Sequence, residues 1–272
     1  MSTPQTTTPF KILIFSRTTS YRHASIPAGI HGLRRLGPLS TPAFEADATE
    51  DPAHFTPSSL SAYRVIVLLQ CSGEIFDDEA QLDAFKGFVR AGGGVVGVHC
   101  ASFAMESSDW YARLIGAVFA NHPVPQWGKV KVLEPGHAIM KCGVSLGGGG
   151  GQGEEGDIRR GDSKTVDTSE VTTERTWMDE WYNFKAHPRE TKTEDGKGLH
   201  VLLTVDETSY EGGTHGEDHP LVWYQEFEGG RCFYTALGHF DEAYEDDWFM
   251  GQLLGGILWA GGFATDVQGR KN

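Results

Sequence analysis

Gly92-Gly93-Gly94-Val95-Val96-Gly97-Val98-His99-Cys100-Ala101 is the stretch that decides the fold of this chain. Three glycines launch an apolar strand that ends abruptly on a histidine and a cysteine. In open α/β sheets, ligands collect at the carboxyl ends of the strands, and a sharp strand-to-helix turn holds one side chain there, pointing into the crevice. Glycines on both sides let the backbone turn and pack closely. In enzymes built on such a turn the central residue is often a nucleophile. Here that residue is His99, and the thiol of Cys100 follows one position later. The stretch predicts an α/β protein with a histidine at a strand tip and argues against simple thiol catalysis.

Working outward, residues 10–15 read as a first strand and residues 26–36 as a helix, opened near Ser25 and Pro27 and closed by Gly37-Pro38. Residues 44–48 supply a second strand. Residues 64–69 are nearly continuously apolar, as in a strand buried on both faces of a parallel sheet. Residues 77–90 place Leu82, Phe85, Phe88 and Val89 at helical spacing behind an acidic first turn, and residues 110–115 form a further helix. Strands follow at 200–205, 221–227 and 231–237, the last two joined by the Glu228-Gly229-Gly230 hairpin, before a closing amphipathic helix over 246–260. Alternating strands and helices predict a doubly wound, mostly parallel sheet flanked by helices, in one domain over residues 10–264. A polar, disordered leader occupies 1–9 and a polar tail 265–272. The glycine run 147–151 and the acidic, Ser/Thr-rich segment after it mark 143–176 as a flexible surface insertion, since such composition buries too little apolar area to offset ordering.

Charge narrows the partners. Lys plus Arg number 23 against 37 Asp plus Glu, a net charge of −14, which disfavours nucleic acid or an anionic membrane and suits a small neutral molecule. The four cysteines show no C-x-x-C pair, so neither a disulfide framework nor a cysteine zinc site is indicated, and a reducing, cytoplasmic setting fits. The leader lacks an apolar signal core, and no apolar run reaches membrane-spanning length. A homo-oligomer is left open.

Among eleven histidines, His23, His99, His122, His219 and His239 sit where an apolar strand or tight loop gives out. His23 and His99 fall on the same sheet edge, and His239 repeats the pattern of a strand ending on glycine then histidine. Asp179-Glu180-Trp181-Tyr182 sets carboxylates beside aromatics, where apolar neighbours raise a carboxyl pKa toward acid/base use and a flat ring can floor a sugar. Each feature also has a plainer reading. A strand-end histidine is often a hydrogen-bonded structural residue, the His-Pro steps read as extended dipeptides, Asp179 and Glu180 read equally as solvated, and the tryptophans suit the core. Among themselves, His23, His99, His122, His219 and His239 lack the i, i+4 spacing of a helical zinc motif, so metal binding is weakly signalled.

Taken together, Tyr21-Arg22-His23-Ala24-Ser25-Ile26, the strand into His99, Asn121-His122-Pro123, Asp179-Glu180-Trp181-Tyr182, His219-Pro220-Leu221-Val222-Trp223 and Gly230-Arg231-Cys232-Phe233-Tyr234 leading to Leu237-Gly238-His239 resemble the ThuA-like (trehalose utilisation) family. The resemblance implies a class I glutamine amidotransferase-like fold in which the nucleophile's place is taken by His99, so it does not imply a thiol amidotransferase. It also implies a keto-sugar derived from trehalose or a related disaccharide as substrate. Chemistry beside a ketone needs a base for the C–H proton and a donor or metal for the enediolate oxygen. On that basis His99, Glu180 and His23 form the expected catalytic set. His122, Trp181, His219, His239 and Tyr21 form the expected sugar-binding set. A divalent metal on His23, His122 and His239 stays open. A non-catalytic sugar-binding or regulatory module and a metal-dependent hydrolase are the alternatives.

Overall fold

Runs of aliphatic and β-branched residues between turn formers become the strands of a single α/β sheet in the computed structural model, which describes residues 9–146 and 173–264. The first half of the sheet is the expected alternation: β1 (Phe10–Phe15), α1 (Ile26–Leu39), β2 (Phe44–Thr49), a short α2 (Pro57–Leu60), β3 (Val65–Leu69), α3 (Glu79–Arg90) and β4 (Gly94–Val98). After α4 (Asp109–Ile115) come β5 (Phe119–Asn121), β6 (Gln126–Val132), β7 (Glu174–Asp179), β8 (Asn183–Phe184), β9 (His200–Asp206), β10 (His219–Phe227), β11 (Gly230–Thr235) and α5 (Asp247–Ala260).

Nine strands form the main sheet in the order β2-β1-β3-β4-β11-β10-β9-β6-β7, while β5 and β8 pair separately. The strands β2, β1, β3, β4 and β11 are parallel, so their carboxyl ends share one edge. From β11 onward each pairing is antiparallel. The central β3 and β4 are buried along their whole length, as parallel strands covered on both faces must be. By contrast β6 alternates buried and exposed residues, the mark of a strand with one wet face.

Three sequence expectations shift. The first helix runs through Gly37-Pro38 to Leu39. Pro38 lies in the last turn, and Gly37 is there for close approach, since a Cβ on it would stand 2.3 Å from the Phe44 carbonyl oxygen. The closing helix α5 is not amphipathic: eleven of its fourteen residues are buried, because it packs on β4 and β11 beneath α1. The flanks of the expected insertion are ordered. Cys142, Val144 and Leu146 pack on the core, and β7 begins at Glu174, paired with Lys131. The rest of that segment, with the leader 1–8 and the tail 265–272, lies outside the described residues. No helix among the described residues is long and apolar enough to cross a membrane.

Candidate active site at the strand tips

At the end of β4 the backbone turns sharply: His99 has a φ of 51°, a left-handed value that a non-glycine residue adopts only when its surroundings impose it. The imidazole is completely buried, and its Nδ1 donates to the Ala236 carbonyl oxygen just beyond β11, at 2.7 Å. A carbonyl only accepts, so Nδ1 carries the proton and Nε2 a lone pair, to which the Tyr182 hydroxyl donates at 2.9 Å. Cys100, the other candidate on this turn, is pushed up to about 12 by burial and is no nucleophile.

Two neighbouring strand tips deliver the next imidazoles. His23 lies on the loop after β1 and His239 on the loop after β11, with ring centroids 4.7 Å and 5.5 Å from that of His99. These loops are tied together by Gln70, beyond the tip of β3 and also left-handed at φ 51°. Its Nε2 donates to the Gly238 carbonyl at 2.6 Å and to Ser25 Oγ at 2.9 Å, and Ser25 Oγ donates to the His239 carbonyl at 2.6 Å. Gly238 itself, at φ 113°, is required by the turn: a Cβ there would meet the Phe249 ring at 2.9 Å.

Glu180 arrives from the far edge of the sheet. The antiparallel half curls until β7 ends above the tip of β11, where the buried Asp179 carboxylate accepts the backbone N–H groups of Gly238 and His239 at 2.9 and 3.1 Å. Glu180, next in sequence, then points among the histidines. Its Oε2 lies 3.1 Å from His239 Nδ1, 3.4 Å from His99 Nε2 and 3.8 Å from His23 Nε2; its Oε1 lies 3.5 Å from His122 Nε2. Burial acts to raise this carboxyl, but the His23, His239 and His99 rings against it outweigh burial and hold it far below the usual carboxylate range. Glu180 is therefore ionised, which makes it a weak base. Burial lowers His23 to about 4, so this ring is neutral near pH 7.

The polar atoms of this cluster are not satisfied by one another. Both ring nitrogens of His23 and Nδ1 of His239 are buried without a hydrogen-bond partner. Among the described residues, one donor atom each from His23, His99, Glu180 and His239 falls within 4.8 Å of the others, close enough for a single cation to bind all four. His122 stands at the rim, its side chain 32% exposed, with Nδ1 donating to the Pro123 carbonyl at 2.7 Å so that Nε2 keeps its lone pair. Tyr21, 60% exposed, meets the His23 ring edge-on at 4.7 Å and forms an aromatic lip.

Of the eight site residues expected from sequence, His23, His99, Glu180, His122, His239 and Tyr21 converge here. Trp181 does not: it is fully buried, its Nε1 donating to the Gln126 carbonyl at 3.0 Å, so it offers no face to a sugar. His219 is also fully buried and faces away, with one nitrogen on Glu207 at 2.7 Å and Nε2 donating to the Tyr182 carbonyl at 2.8 Å. Asp179 and Glu180, equally readable as solvated, are both buried. Gln70, Ser25 and the positioning role of Asp179 went unread; the only cue in the sequence was their place just past strands or beside a turn.

The fold and this ring of imidazoles define an α/β protein with a His/Glu cluster at the strand tips. The chain belongs to the ThuA family, described as trehalose utilisation, which matches residues 11–260. It is similar in structure to a ThuA-like protein of Bacteroides uniformis, at 23% identity and a TM-score of 0.67 over 95% of each chain. A ThuA-like protein of Parabacteroides merdae aligns at 17% identity and a TM-score of 0.63, over 97% of this chain and 94% of that one. A cytoplasmic protein of Salmonella typhimurium aligns at 11% identity and a TM-score of 0.54, over 92% of this chain and 99% of that one. No curated protein matches the chain.

Proposed function

We propose that this protein works in carbohydrate metabolism, in the cytoplasm, as an acid/base enzyme that moves a proton beside the carbonyl of a keto-sugar derived from trehalose or a related disaccharide. The observation carrying this reading is the convergence of His23, His99, His122, His239 and Glu180 at one strand-tip crevice in a chain of the trehalose-utilisation family. His122 is the base: its Nδ1 is committed to Pro123, its Nε2 is free, and it stands at the opening where substrate enters. As His122 Nε2 takes the proton, the C–H electron pair moves toward the carbonyl carbon and the carbonyl oxygen gains negative charge. The buried ring of His99 and the ionised Glu180 hold the floor, and Tyr21 at the lip covers one face of the sugar.

The test is proton NMR of the purified protein with 3-keto-trehalose in deuterated buffer, with trehalose as control. The reading expects the signal beside the ketone to disappear, or a product to form, while trehalose stays unchanged. An unaltered keto-sugar spectrum at high protein concentration overturns it.

A further inference from the structure

We propose that His23, His99, His239 and Glu180 form a mononuclear site for a divalent first-row transition-metal ion of the zinc type. The ligand set stands on geometry alone; the ion's part in catalysis rests on the keto-sugar reading above.

Left to themselves, these groups crowd one another without satisfying one another. His99 turns Nε2 into the cluster, both ring nitrogens of His23 and Nδ1 of His239 are buried with no hydrogen-bond partner, and Glu180 Oε2 sits among the three rings. The 3.1 Å contact of His239 Nδ1 with Glu180 is close enough for a hydrogen bond but not aligned for one. Buried polar atoms without partners are rare in folded proteins, and here three, on His23 and His239, crowd around one carboxylate and call for a common partner. A cation supplies it. With bonds of about 2.0–2.1 Å, tetrahedral ligands stand about 3.3–3.4 Å apart. The distances from Glu180 Oε2 to the three imidazoles, 3.1, 3.4 and 3.8 Å, bracket that value.

The donor set also chooses the ion. Three imidazole nitrogens with one carboxylate oxygen suit zinc, cobalt, nickel or iron, whereas magnesium and calcium prefer all-oxygen shells. The outer contacts are those of a built site. His99 Nδ1 is fixed on the Ala236 carbonyl, so its tautomer leaves Nε2 for the metal, and Asp179 anchors the His239 backbone. The Tyr182 hydroxyl holds the His99 lone pair that the ion takes, so loading turns the phenol away. One carboxylate against a dication leaves a net positive centre, which stabilises a developing enediolate oxygen that Glu180 alone would repel.

The protein, purified without a histidine tag and stripped with a chelator, is titrated with zinc chloride by calorimetry and with cobalt chloride by visible absorption. The expected result is one equivalent of zinc per chain, a cobalt spectrum of tetrahedral or five-coordinate type, and no heat with magnesium chloride. His239→Ala, at a half-buried loop position, and Glu180→Gln, an isosteric change, each weaken zinc at least about 100-fold. His187→Ala, in a separate group formed by the His187, His215 and His219 rings, leaves the titration unchanged. Absence of stoichiometric zinc, or zinc binding that survives both ligand substitutions, overturns the site. Deuterium exchange into the keto-sugar, run on stripped and loaded protein, separates the two readings: exchange that survives stripping removes the metal from catalysis and keeps the function, whereas stoichiometric zinc without exchange in either form does the reverse.

Discussion

The His23, His99, His239 group with Glu180 and the His187, His215, His219 group with Glu207 are built from the same parts at nearly the same spacing. Ring centroids lie 4.7 and 5.1 Å apart in each, between His23 and His99 or His239 in the first and between His215 and His219 or His187 in the second. Their hydrogen bonds differ completely. In the second group His187 Nε2 donates to the Asp218 carbonyl, His215 Nε2 accepts the Phe184 N–H, and His219 Nδ1 stands 2.7 Å from Glu207 Oε1. Glu207 also accepts the N–H groups of His215 and Gly216. In the first group His99 alone has both nitrogens bonded, to the Ala236 carbonyl and the Tyr182 hydroxyl, and the carboxylate touches the imidazoles without such bonds. Identical residue types are thus a structural knot where every charge has a donor, and a reactive site where the partners are missing. Tyr182 connects them, its carbonyl on His219 and its hydroxyl on His99.

The largest effect that tests this contrast is at Glu180. Glu180→Gln should lower keto-sugar turnover about 1000-fold, roughly 4 kcal/mol in the barrier, while the melting temperature falls by no more than a few degrees, because the amide keeps the shape and only the charge held by the imidazoles is lost. Turnover within a few-fold of wild type would break the contrast from one side; a large drop in melting temperature would break it from the other. His219→Leu should do the opposite. It leaves Glu207 and the Tyr182 carbonyl without their buried donor, at a cost of about 3 kcal/mol. In a chain of this size that lowers the melting temperature by about 6–12 °C in thermal denaturation. A change of a degree or two would mean that the second group is not the foundation claimed for it.

A third, smaller effect depends on pH. Burial acts to raise the Glu207 carboxyl, but the His215 and Gly216 N–H groups and His219 outweigh it, and the group is held below its usual value. A carboxyl depressed in the folded state adds stability above the unfolded pKa, about 4.5, and loses it as pH falls through the folded value. The groups facing it are His219, whose Nδ1 also meets the Tyr210 hydroxyl, and the N–H groups of His215 and Gly216. Glu207→Gln should therefore melt below wild type at pH 6 to 7, and the gap should close as pH drops below about 4.5. A gap that stays constant with pH would show that the carboxylate's charge contributes nothing.

The parallel half of the sheet was legible because its strands are short apolar runs punctuated by glycine, and the turn at His99 was readable from that punctuation. The antiparallel half was not. After Gly128 residues 129–132 alternate Lys and Val, a half-buried strand pattern too short to announce β6, and nothing local predicts that β7 curls back to carry Glu180 over the tip of β11. Likewise His23, His99 and His239 could be placed on one edge from strand ends alone, whereas the lack of partners at His23 and His239 depends on how the surrounding loops pack. His219 looked equivalent to them in sequence; only the Glu207 carboxylate and Tyr182 carbonyl, from elsewhere in the fold, make it structural.

The smallest effect concerns the two aromatics assigned to sugar binding from sequence, which the fold separates. Tyr21 lies open at the lip and Trp181 is sealed in the core, with its ring against Gly128 and its N–H on Gln126. Stacking on a sugar needs an exposed ring face, and an open aromatic contributes about 1 kcal/mol to such a contact. Tyr21→Ala should raise KM for the keto-sugar about 3–10-fold, with kcat and melting temperature little changed. Trp181→Phe should leave KM alone and cost about 1–2 kcal/mol of stability, through the lost N–H bond and the space left beside Gly128. If the two variants exchanged these outcomes, the crevice would open on the other side of Glu180, toward β6, and His122 would no longer stand at its entrance.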